Sequence, residues 1–102
     1  MIQNTPLNST VGNILVGNTG GTATTTIYFC NKSGSPTTFN LYAVPAGFTA
    51  NANNIVYSNK LISSNDTYIA DLEKLFLGFN DTLQANANTG NSIVATVSSI
   101  GL

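Results

Sequence analysis

A chain of 102 residues with 42% hydrophobic residues has room for one domain and is too apolar to be intrinsically disordered. It has no His, Arg or Trp, only 7% of its residues are charged, and its formal net charge is −1. This inventory leaves few groups for proton transfer or metal binding, and it speaks against a basic patch for nucleic acid or a surface for anionic membranes.

Charge this low gives little self-repulsion, which suits a subunit that lives in an assembly and forms homo-oligomers. The opening residues Met1-Ile2-Gln3-Asn4-Thr5-Pro6 lack the basic and long apolar regions of a signal peptide, and no apolar run nears the roughly 20 residues that span a bilayer. Synthesis in a cytoplasm, without a cleaved signal, is expected.

Residues 1–10 are polar and read as an N-terminal arm ahead of a domain at 11–102. Ile14–Val16 is the first expected strand. Gly17-Asn18-Thr19-Gly20-Gly21 ends it and reads as a hairpin turn, because it has neither the Lys-Ser/Thr of a phosphate loop nor a GxGxxG pattern. Ala23–Asn31 follows, rich in Thr, Ile, Tyr and Phe, which favour a pleated surface. Alternation puts Ile27 and Phe29 on one face and Tyr28 and Cys30 on the other. Cys30 is the one cysteine, so no internal disulfide can form; it is expected to be a small buried hydrophobe.

Lys32-Ser33-Gly34-Ser35-Pro36 is a strong turn. Thr37–Val44 is the next strand, with Phe39, Leu41 and Ala43 alternating against Thr38, Asn40 and Tyr42, and Pro45-Ala46-Gly47 ends it. Residues 48–54 read as a polar loop. Ile55–Tyr57 and Lys60–Ile62 are short apolar pieces around Ser58-Asn59, and Ser63-Ser64-Asn65-Asp66 is a turn. Thr67–Leu72 alternates again. The spacing of Leu72, Leu75, Phe76 and Phe79 would also fit a helical turn, but the stretch is short and holds Gly78, so a strand at Lys74–Leu77 is preferred. Thr82–Asn86, with Leu83 and Ala85 on one face, and Ile93–Ile100 complete the set. Seven to eight short strands divided by turns predict an all-β fold, an antiparallel β-sandwich or jelly roll.

No catalytic, cofactor-binding or metal-binding residue is assigned. Asp66 and Asp81 lie in turns, where Asp bonds nearby backbone amides. Asp71 and Glu73 share a face if extended, but no EF-hand-like run of acids accompanies them. The Asn-x-Ser/Thr sequons at Asn8, Asn31, Asn65 and Asn80 are what chance produces in a chain so rich in these residues. Tyr28, Tyr42, Tyr57 and Tyr68 each fall in or beside a strand, and Tyr is favoured at interfaces.

Three pieces recur in order: Ile27-Tyr28-Phe29-Cys30-Asn31-Lys32-Ser33-Gly34, then Phe39-Asn40-Leu41-Tyr42-Ala43-Val44-Pro45-Ala46-Gly47, then Gly78-Phe79-Asn80-Asp81-Thr82-Leu83-Gln84-Ala85 before a Thr/Val-rich strand. Over roughly residues 22–100 this pattern resembles a group of small virion structural proteins of tailed bacteriophages. Asn80 stands where the group usually has Gly, and Asn tolerates left-handed geometry. The resemblance implies a β-sandwich subunit on the outside of a virion, with the major capsid protein or tail proteins as partners and no shared catalytic residues.

The expectation is a capsid cement or decoration protein, with a tail, baseplate or neck adaptor and a virion-surface carbohydrate-binding module as alternatives. Ile2 and Leu7 are the expected anchors of a docking arm. Tyr42, Tyr57 and Tyr68 are the aromatics expected to face a partner.

Overall fold

A computed structural model describes residues 1–70 and 75–102. Among these residues there are nine strands: β1 (Ile2–Pro6), β2 (Gly12–Val16), β3 (Thr22–Asn31), β4 (Thr37–Val44), β5 (Ile55–Ile62), β6 (Thr67–Ala70), β7 (Phe76–Leu77), β8 (Thr82–Ala87) and β9 (Ile93–Gly101). They pair as a ribbon folded back on itself. β1 lies against β9, β2 against β8, β3 against β6 and β7, and β4 against β5, all antiparallel. Rolling the ribbon adds the pairs β3–β9 and β4–β8. The result is one sheet ordered β1-β9-β3-β6, with β7 also on β3, facing a second ordered β2-β8-β4-β5. This is the jelly-roll form of the antiparallel β-sandwich.

The strands exist because apolar residues alternate with polar ones at period two. Ile27 and Phe29 on β3, Phe39 and Leu41 on β4, Leu83, Ala85 and Ala87 on β8, and Ile93, Ala95 and Val97 on β9 all point between the sheets and are buried. Turns separate them where the chain must take a positive φ. Gly47 supplies this in the turn Pro45–Phe48, and Asn65, Asn80 and Asn91 supply it at the third position of the turns 63–66, 78–81 and 89–92. Every non-Gly residue with positive φ among those described is Asn, whose short amide tolerates the left-handed region.

Several expectations change. Ile2–Pro6 is no free arm: it is an edge strand of its own sheet. The residues after it are tied to the β8–β9 turn. Leu7 N–H donates to the Ile93 carbonyl, Asn91 N–H donates to the Leu7 carbonyl, and Ala87 N–H donates to the Asn8 carbonyl. Leu7 is 1% exposed and belongs to the core, so it is no partner anchor.

Gly17–Gly21 is not a hairpin turn, because β2 and β3 lie in opposite sheets. Ser58-Asn59 does not divide two strands; it is a bulge within β5, with Asn59 left-handed. Cys30 is half-buried rather than buried, since alternation turns it to the outer face opposite Val94. Asp71, Leu72, Glu73 and Lys74, which carry the candidate acidic pair and the ends of two expected strands, lie outside the described residues.

Leu7→Ala should lower stability by about 2–5 kcal/mol, as core truncations do. Ile2→Ser on the exposed edge should stay within about 0.5 kcal/mol. Urea unfolding of both variants checks this; equal, small losses would mean that the segment is a dispensable arm after all.

Candidate interaction end of the sandwich

The two ends of the jelly roll differ in chemistry. At one end lie the connections 7–11, 32–36, 63–66 and 88–92, made of Asn, Ser, Thr, Gly and Pro with Lys32, Asp66, the buried Leu7 and the half-buried Val11. None carries an exposed large hydrophobic residue. Asn31 organises this end. It is fully buried, its Nδ2 donates to the carbonyls of Ser35, Ile62 and Ser63 at 2.9, 3.1 and 3.3 Å, and its Oδ1 accepts from Ser33 N–H and Oγ–H. One amide thus ties the 31–35 stretch to the end of β5 and the turn after it, which explains why a polar side chain can be buried here without penalty.

At the opposite end lie the connections 17–21, 45–54 and 78–81. Here large apolar side chains stand in solvent: Phe48 (68% exposed) and Phe79 (59%) on the loops, Val16 at the end of β2, and Phe76 and Ile100 at the ends of β7 and β9. Ile100 and Phe76 both pair with Ala23, one on each side. Together these side chains present roughly several hundred Å² of apolar surface. They are spread around this end: Phe48 and Phe79 on two loops, Val16 on the outer face of the second sheet, and Phe76 and Ile100 on that of the first.

The loops that carry these residues are tightly held. The Asp81 carboxylate accepts from Ala46 N–H through Oδ1 (2.8 Å) and from Gly78 N–H through Oδ2 (2.9 Å). Its own carbonyl accepts from Gly17 N–H at 2.8 Å. One residue therefore joins all three loops, and its two carboxylate bonds are charge-assisted and stronger than neutral ones. The approach is close enough that a Cβ on Gly17 would sit 2.0 Å from the Gly78 carbonyl oxygen, so only Gly fits there. In the 45–54 loop, Asn51 and Asn54 both donate to the Thr49 carbonyl, and Asn54 Oδ1 accepts from Asn51 N–H. Phe48 and Phe79 are thus presented on a preformed frame, which reduces the ordering cost of binding. Asp81 is the one ionisable side chain at this end among the described residues, and backbone donors occupy both its oxygens.

The expected partner residues scatter. Ile2 is exposed on the outer face of β1, at the edge near this end. Tyr42 is half-buried on the outer face of the second sheet, paired with Gln84. Tyr57 and Tyr68 instead turn into the space between the sheets. Their rings meet edge to face at 5.5 Å, and both lie near Phe39, at 6.1 and 6.2 Å. They close one open side of the sandwich, where β5 and β6 face each other, and Lys60 Nζ caps the Tyr68 ring at 4.7 Å.

Sequence reasoning missed Phe48 and Phe79. The available signal was the pair of Gly-Phe steps in turn segments, Gly47-Phe48 and Gly78-Phe79, where a large apolar residue has no strand pattern to join. Comparison with known protein families, with curated proteins and with solved structures returns no match.

Asp81→Ala frees the amides of Ala46 and Gly78. Their hydrogen exchange should speed up by about tenfold or more, with a stability loss of about 1–3 kcal/mol. Unchanged exchange at both amides would mean that the loops hold their positions without the carboxylate.

Proposed function

We propose that this protein is a non-enzymatic structural subunit of a tailed-phage virion, a capsid cement or decoration protein that seats its apolar end on the outer lattice and turns its polar end to solvent. The observation that carries this reading is the contrast between the ends. Phe48 and Phe79 stand on a rigid frame at one, with Val16 and Phe76 exposed on strand ends beside them, while the connections at the other are polar and Leu61 of β5 is exposed beside them. A neutral, apolar, preformed surface suits docking on a protein and gives no purchase on phosphate. The jelly roll agrees by analogy, since this architecture recurs in viral coat proteins, although a fold alone does not assign a function. Many copies bound to one lattice would stabilise it by mass action.

Quantitative mass spectrometry of purified particles tests the placement. Copy number in step with the major capsid protein supports cement or decoration. A small fixed number moves the protein to the tail, baseplate or neck, and absence removes the virion reading. The double variant Phe48→Ser, Phe79→Ser should fold normally and occupy particles at least about tenfold less.

A second reading, a saccharide-binding face, has one observation in its favour. The outer face of the second sheet sets Tyr42 beside Gln84, with Asn40 and Asn86 hydrogen-bonded to each other at 3.0 Å in the next row. Neutral amides around an aromatic ring suit a sugar better than an ion. Glycan-array binding that disappears in Tyr42→Ala would support it, and an array without hits would remove it.

A further inference from the structure

Two open sheets have four edges, and unpaired edges invite further strands. Three of the four are spoiled for pairing. β5 has two register irregularities, a left-handed Asn59 and Lys60. β2 is bulged between Asn13 and Leu15. On the far side of β3, β6 has four residues and β7 two. β1 differs: its five residues keep an unbroken register with β9 and carry no charge.

The hydrogen-bond phase of β1 shows what its edge offers. Met1 and Ser99 exchange both backbone bonds, at 2.7 and 2.9 Å, and Leu7 N–H donates to the Ile93 carbonyl at 2.8 Å. Bonded and non-bonded pairs alternate along an antiparallel ladder, so Gln3 and Thr5 also face β9. The N–H and C=O of Ile2 and of Asn4, and the C=O of Pro6, therefore point away from the sheet. On the outer face, Thr96 Oγ1 donates to Asn4 Oδ1 at 2.8 Å, which leaves Asn4 Nδ2 to solvent.

We propose that this edge is taken by β1 of a second copy, running antiparallel about a two-fold axis at Asn4. In that register Asn4 meets its own counterpart, and each Ile2 meets the other copy's Pro6. The two Asn4 residues exchange both backbone bonds. Each Ile2 N–H donates to the opposing Pro6 carbonyl. The missing N–H of Pro6 falls at the end of the short ladder, where it costs least. Each Asn4 Nδ2 reaches the opposing Asn4 Oδ1, and each Ile2, 71% exposed in the monomer, gains an apolar neighbour.

Asn4 meets its own counterpart and the Ile2–Pro6 contact occurs twice, as an isologous contact requires, and no charge opposes a like charge. The contact lies on a different surface from the loop-borne phenylalanines and does not depend on their docking. Four backbone bonds and two apolar contacts make a weak pair, one seen at high concentration or on a crowded surface.

Sedimentation velocity from about 10 μM to about 1 mM tests this. The wild-type chain should pass from monomer to dimer within that range. Asn4→Lys alone and Asn4→Glu alone place like charges opposite each other and should each weaken the dimer about tenfold or more. An equimolar mixture of the two should restore it. A readout that needs no variant is amide exchange at Ile2 and Asn4, which should slow as wild-type concentration rises. A monomer throughout, a dimer indifferent to both variants, or a mixture that fails to restore it would overturn the proposal. In the second case the contact would belong to another surface.

Discussion

The structure depends on one contact across its middle. Phe29 of β3 and Phe39 of β4 stack between the two sheets with ring centroids 4.0 Å apart and planes 20° from parallel. Both are fully buried. The stack is possible because each ring has a small neighbour within its own sheet: Phe29 pairs with Ala95, and Phe39 pairs with Ala87. Larger residues there would push the rings apart and leave the sheets poorly packed. Tyr57 and Tyr68 extend the cluster toward the β5–β6 side, so four aromatic rings bridge the layers within a core otherwise made of aliphatic side chains.

The rolled ribbon determines where everything else lies. Because β1 pairs with β9 and β2 with β8, residues far apart in the chain become neighbours at each end. Those ends need joining, and a chain with so few charges uses single polar residues to do it. Asn31 ties its own turn to residues 62 and 63 at the polar end, and Asp81 joins three loops at the apolar end. Asn31 ends an expected strand and Asp81 sits in an expected turn, and both reach beyond their own neighbourhood in the chain. Ala46 is 35 residues from Asp81 in the chain, and Ile62 is 31 from Asn31.

This arrangement separates the tasks of the molecule by place. The interior holds the sheets together. The polar end is held by its own hydrogen bonds, centred on Asn31. The apolar end exposes phenylalanines that nothing in the monomer covers, on loops that do not need to be ordered first. On the function proposed above, this end would dock by shape and by exclusion of water rather than by charge.

The sequence by itself determined the fold class. Alternating apolar residues and turns rich in Gly and Asn dictate strands whatever the rest of the chain does, and the inward faces of Phe39–Ala43 and of Leu83–Ala85 could be read directly. The turn that holds Asp81 was legible for the same local reason, and the fold places its Asn80 in the left-handed region. What only the tertiary structure decided is which surfaces are free. Ile2–Pro6 has no strong strand pattern of its own, and it becomes a strand because the exposed edge of β9 offers it backbone bonds. Leu7 looks like an anchor for a partner until the rolled ribbon brings Ile93 and Asn91 to it. Tyr57 and Tyr68 look like contact aromatics until the two sheet edges close over them. Periodicity is a property of a few neighbouring residues, whereas burial is set by elements distant in sequence; the strands could be read in advance, and the exposed end could not.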